Sequence, residues 1–262
     1  MKLKYKGTKV MTSAAAKFNR VIIFGLLLIG ASFLIGRTIM AQDNFELPQA
    51  PEQVSVPLEN AYIPGGFDSN DRAQVVVEGH FPNTCYRQGP YTKILDAKSN
   101  ELSINQTAFK YKGMCLMMLV PFTETVQVGI MGANNYKVKD AISQKELGTL
   151  PVSLAKNSGP DDHLYASVSD AYVGVIDGSD RVIILQGEFP GDCWRLKEKK
   201  VIQDGKNVLV VLPIIEKFRN DKCNDVRIPF ISTAALPTVN AGRFLLHVRS
   251  LNGAAINKLV DL

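Results

Sequence analysis

One block of sequence occurs twice, and it restricts the fold more than any other feature. Gly79-His80-Phe81-Pro82-Asn83-Thr84-Cys85-Tyr86-Arg87 returns as Gly187-Glu188-Phe189-Pro190-Gly191-Asp192-Cys193-Trp194-Arg195, 108 residues later. The same offset carries Cys115 to Cys223, Pro121-Phe122 to Pro229-Phe230 and Ala133 to Ala241. No gap is needed from Gly79 to Ala133. A period this long describes two whole domains rather than a solenoid.

The four cysteines allow three connectivities. A duplicated unit that folds alone must satisfy its own cysteines, which predicts Cys85–Cys115 and Cys193–Cys223. Each would close a loop of about 30 residues, worth roughly 3–4 kcal/mol on the chain-entropy account. Such pairing fits an oxidising compartment. A zinc site wants closely spaced cysteine pairs, and spacings this long supply none. No Cys-x-x-Cys is present for redox catalysis.

Charge is distributed unevenly. Residues 1–41 carry seven basic residues and no acid, so the remainder holds 30 − 7 = 23 basic against 25 acidic residues. That near-neutral remainder gives no footing for nucleic-acid binding, which needs a clustered basic face. Six of the seven basic residues precede the uncharged run Val21–Gly36. A basic flank followed by an apolar run reads as an export signal or anchor helix with its N-terminus cytoplasmic. Cleavage before Gln42 and retention as a membrane anchor both fit. Residues 42–59, rich in Pro and Gln, read as a spacer.

The rest alternates in period 2. Val75, Val77, Gly79 and Phe81 share a face, as do Ile183, Leu185, Gly187 and Phe189, and the repeated glycine implies a close backbone approach. Pro82 and Pro190 end these strands. The offset then places Leu102 and Ile104 inward in the first unit and Val210 and Leu212 inward in the second. After the second cysteine of each unit, Met118, Val120 and Phe122 read as inward, like Val226, Ile228 and Phe230. Asn252-Gly253 signals a hairpin. Residues 155–163 form the boundary by their turn composition. The expected fold is therefore all-β: two tandem immunoglobulin-like antiparallel sandwiches, 60–155 and 164–262, after the N-terminal segment 1–41.

Chemistry is sparse. His80, His163 and His247 do not match between the units and read as solvated surface residues. No nucleophile elbow, metalloprotease helix or phosphate loop is present, so no catalytic residue, cofactor or metal ligand is assigned. The acidic turns Asp68–Arg72 and Asp177–Arg181 offer too few oxygens, without a terminal Glu, for a calcium loop. Asp96 and Asp204 fall at turns. Arg87 and Arg195 read as stems covering the aromatic or the disulfide.

The units differ in one respect. On nominally wet faces, the first unit places Met117 and Leu119 where the second has Asp225 and Arg227. The second places Leu209, Val211 and Ile215 where the first has Glu101, Ser103 and Thr107. Contiguous apolar residues on a sheet face imply a partner or sister-domain contact. The functional expectation is an exported binding or structural module, periplasmic, envelope-anchored or extracellular, whose partner is an envelope protein or glycan. It contacts the membrane through the N-terminal segment if that segment is uncleaved. A hydrolase or carbohydrate-active protein with carboxylates on the loops is the rival class, and a pocket holding two acids would favour it.

Overall fold

The computed structural model describes residues 49–262 apart from 160, 177, 179, 220 and 221. Val21–Gly36, its cleavage site and residues 42–48 of the spacer lie outside the described residues, as do Asp177 and Ser179 of the second acidic turn. Among the described residues no helix is long and apolar enough to cross a membrane. Residues 49–262 form one compact unit.

Every regular strand pair falls within one half of this unit. In the N-terminal half, β1 (Glu52–Val56), β3 (Phe67–Asp68), β5 (Tyr86–Asp96), β6 (Glu101–Lys110), β8 (Asn134–Asp140) and β9 (Glu146–Ser153) form one sheet. β2 (Asn60–Tyr62), β4 (Ala73–Phe81) and β7 (Val120–Gly129) form the facing sheet. In the C-terminal half, β10 (Ser167–Ile176), β11 (Asp180–Phe189) and β14 (Ile228–Ala235) form a three-stranded sheet. It faces β12 (Trp194–Asp204), β13 (Val208–Lys217), β15 (Arg243–Ser250) and β16 (Ala254–Asp261). Val75, Val77 and Val126 from one sheet meet Leu102, Ile104 and Val138 from the other in the N-terminal core. Ile183 and Leu185 meet Leu209, Val211 and Leu246 in the C-terminal one.

The two-sheet antiparallel sandwich is as expected, but the strand order is not that of an immunoglobulin domain. There the third strand lies beside the sixth. Here β6 lies between β5 and β8, and β13 between β12 and β15, each parallel to the later strand. The chain visits the opposite sheet, through β7 or β14, before returning. The spacer reading of 42–59 also gives way at Glu52. Val54 and Val56 alternate inward on β1, which pairs antiparallel with β6, and Pro51 and Pro57 bracket this strand rather than a linker.

The glycines of the repeated block are explained by packing. Phe122 and Phe230 lie opposite Gly79 and Gly187 on the neighbouring strands. Each stacks on the block's own Phe, Phe81 or Phe189, with ring centroids 4.6 Å apart. A Cβ on Gly187 would stand 2.2 Å from the Ser167 carbonyl oxygen and 2.9 Å from the Phe230 ring. One on Gly79 would stand 2.8 Å from Phe122 and from the Pro57 carbonyl oxygen. Gly187→Ala is therefore expected to lose about 1–3 kcal/mol, and Gly79→Ala less. Urea melts of both variants check this, and an unaffected Gly187→Ala would refute the ring-on-glycine account.

The offset of 108 is interrupted. β5 and β6 close with Asp96 opposite Glu101, whereas β12 and β13 close with Asp204 opposite Val208. The second hairpin loop is one residue shorter, so Leu102 corresponds to Leu209 and Ile104 to Val211. Leu102 pairs with Val138 and Leu209 with Leu246, which fixes this equivalence. The missing residue is restored before Cys223. Because side chains alternate, the one-residue slip moves every side chain of β13 to the other face. Leu209, Val211 and Ile215, expected outward, are thus 0%, 0% and 4% exposed in the core of their own half.

Val208 and Val210 then point away from that core and meet the N-terminal half. With Leu245, they bury Tyr62 of β2 and Val76 of β4. The β2-β4-β7 sheet therefore packs on the β12-β13-β15-β16 sheet, and the unit is four sheets deep. This explains the unbroken apolar runs in β4, β13 and β15, which are buried on both faces over much of their lengths, as internal strands require.

Candidate functional site

Two places merit description: the layer between the halves and a loop of the N-terminal half. The interfacial layer is polar at one end. Arg249 Nη1 donates to Asp71 Oδ2 at 3.2 Å, with side-chain exposures of only 6% and 7%. Its Nη2 donates to the Gly66 carbonyl oxygen at 2.8 Å, and the guanidinium lies 4.2 Å from the centre of the Phe67 ring. Burial raises the Asp71 carboxyl above its ordinary range against the pull of Arg249. Burial likewise raises Asp161, which accepts the Gly253 N–H at 3.1 Å, and pushes Tyr165 up to about 12. Asp71, weighed in the sequence as part of a calcium loop, instead joins the halves. Its neighbour Asp68 accepts the Asn70 N–H, as a turn residue does.

His247 is not the surface residue expected. It is buried, because β15 is covered on both faces, and its Nδ1 lies 2.7 Å from Asn257 Oδ1. Asn257 in turn donates to Gln74 Oε1 of the N-terminal half at 2.6 Å. Burial lowers the imidazole to about 4, with Arg249 acting the same way. His80 stays partly exposed beside Glu59 at 3.0 Å. His163 lines a cavity of about 300 Å³ between the halves, with Gly65, Asp162, Tyr165, Asp204 and Arg249. Asp204 accepts the Gly65 N–H there. Asp96 accepts from Lys98 N–H and the Ser99 hydroxyl, and these bonds hold its carboxyl below the ordinary range. Arg195 pairs with Glu216, and Arg87 donates to the Thr84 and Tyr86 carbonyl oxygens.

The second place is the loop between β6 and β7, residues 111–119. Cys85–Cys115 pins it, and Cys193–Cys223 pins its counterpart. Tyr111 N–H donates to the Cys85 carbonyl oxygen at 2.9 Å, and Leu116 N–H to Thr84 Oγ1 at 3.0 Å. On this fixed backbone Met114, Leu116, Met117, Met118 and Leu119 all face solvent, Met117 at 84% and Leu119 at 66% exposure. Met118, expected inward, is exposed because β7 begins only at Val120. The counterpart loop carries Arg219, Lys222, Asn224, Asp225 and Arg227 and is largely polar. Of the five residues expected to form a contact surface, Met117 and Leu119 are therefore presented outward, while Leu209, Val211 and Ile215 are core. The sequence did contain the missed interface: Val208–Leu212 is apolar without a break, as a strand covered on both faces requires.

Comparison with known proteins adds one finding. No curated protein and no solved structure matches the chain. A family model described as the ORF11 beta-sandwich domain matches residues 75–146, from the start of β4 to the start of β9, so the N-terminal half is similar to that β-sandwich domain.

Proposed function

We propose that this chain is an exported tandem β-sandwich module that works by binding, and that loop 111–119 is its contact surface. One observation carries the reading. Five large apolar side chains stand exposed on a loop that a disulfide and backbone hydrogen bonds hold in place. An isolated exposed apolar residue is ordinary, but a contiguous patch marks a contact site. The two disulfides support an oxidising, exported setting. The duplication at near-constant offset supports two domains descended from one. The polar layer around Arg249 supports their acting as one rigid body.

Met117→Asp with Leu119→Asp is expected to leave stability within about 0.5 kcal/mol, as surface changes usually do, while abolishing the contact. Photocrosslinking from position 117 in intact envelopes, with thermal melting alongside, measures both. A large loss of stability, or no crosslink to any envelope component, would refute the assignment.

The cavity between the halves favours a second reading, that of a ligand-binding or hydrolytic site. It holds the carboxylates of Asp162 and Asp204 with the imidazole of His163. The bond from Gly65 N–H to Asp204 gives that carboxylate a structural partner and places this reading second.

A further inference from the structure

We infer that loop 111–119 docks into the surface of an anionic lipid bilayer, the one to which the chain's own N-terminus is attached. The inference rests on the reading of this loop as the contact surface and on Val21–Gly36 remaining uncleaved.

The chain enters the described unit beside this loop. Glu52, at the start of β1, lies opposite Lys110, the last residue before the loop. Gln49 accepts a hydrogen bond from Lys112 within the loop. The chain thus arrives at the root of the apolar loop and nowhere else on the unit. Only residues 37–48 separate the apolar run from Gln49. Twelve residues reach at most roughly 40 Å when extended. A membrane holding residues 21–36 therefore lies within tether length of this end of the sandwich.

The chemistry of the loop also suits a lipid surface. Met114, Leu116, Met117, Met118 and Leu119 form the apolar tip, and the exposed Tyr111, Lys110 and Lys112 stand at its base. An apolar tip above an aromatic and basic collar matches the depth profile of a lipid surface, with hydrocarbon innermost and anionic headgroups outside it. Arg87, exposed beside Cys85, adds a third cation; the acids nearest the loop are Glu52, opposite Lys110, and Glu59, which pairs with His80 and lines a hollow with Leu119. Basic residues next to a membrane are drawn to anionic lipid. The counterpart loop of the C-terminal half has no such tip, and that half is not where the chain enters. Pinning by Cys85–Cys115 fixes the backbone beforehand, so docking orders little chain.

The test uses the full chain reconstituted in vesicles containing anionic lipid. Met117→Trp and Leu119→Trp add a reporter to the native Trp194, whose signal in the unsubstituted chain is the baseline. Ile231→Trp, on the exposed face of β14, is the control. The expected result is a blue-shifted emission at 117 and 119, quenched by lipids brominated about 5–10 Å below the headgroups, with Ile231→Trp neither shifted nor quenched. Emission at 117 and 119 that stays water-like overturns the inference. If position 117 then crosslinks to a protein in intact envelopes, the loop is a protein-binding surface and the proposed function survives. If it crosslinks to nothing, both readings fall.

Discussion

Arg249→Ala is expected to cost about 3–5 kcal/mol, the loss that follows when one member of a buried ion pair is removed. Asp71 would be left without a counter-charge at a site where burial already raises its carboxyl. The Gly66 carbonyl oxygen would lose its donor, and the Phe67 ring the cation above it. Because the pair joins the two halves, the damage should fall on their cooperation. Urea unfolding of Arg249→Ala should show a lower midpoint and a broadened or split transition. The double variant Asp71→Asn, Arg249→Met removes both charges and should recover much of the loss, since apolar replacement of a buried pair is often neutral or stabilising. A single variant within about 1 kcal/mol of wild type would mean that the pair behaves like an exposed one, and that the halves are not joined here.

The second large effect is a pH dependence from His247. In the unfolded chain its imidazole takes a proton near pH 6.5, whereas in the folded chain burial delays this to about 4. Between these values the unfolded state binds more protons, so stability rises with pH. The contribution is complete above pH 6.5 and is lost as the pH falls towards 4. Its size is on the order of 3 kcal/mol. The groups around the ring are Asn257, Phe67 and Arg249, and none of them is an acid that could hold the imidazolium. Thermal melting across this range should show a steep acid limb in the wild type and a shallower one in His247→Gln. Parallel limbs would mean that His247 is not the group responsible.

The sandwich class, the strands around the repeated block and the disulfide partners were legible because short-range patterns dictate them. Alternation identifies a half-buried strand, and the common offset of the cysteines selects one pairing. The register of β13 was not legible, because Val208–Leu212 is apolar at every position and alternation cannot choose a face. The offset chose the wrong one, since Asp96 to Glu101 and Asp204 to Val208 differ by one residue in loop length. His247 and Arg249 were hidden for a related reason. A polar residue in an apolar strand is normally an outward one, and only the neighbouring half makes that face an interior. Met117 and Leu119 were picked out by their contrast with Asp225 and Arg227, although they lie on a loop rather than a sheet face.

The four-sheet stack joins two unlike surfaces, the β2-β4-β7 face of one copy and the β12-β13-β15-β16 face of the next. Such a heterologous contact joins copies head to tail, into a ring or a filament according to its rotation. The N-terminal half cannot accept a further copy in this way. Where the receiving face of the C-terminal half has Val208, Val210, Leu245 and His247, the equivalent positions here are Glu101, Ser103, Lys137 and Lys139, with Lys139 paired to Glu101. These charges cap this end of the stack, as the polar outer faces of capping repeats do in longer arrays. The substitutions that separate the two halves on this face thus give the stack one polar, capped end.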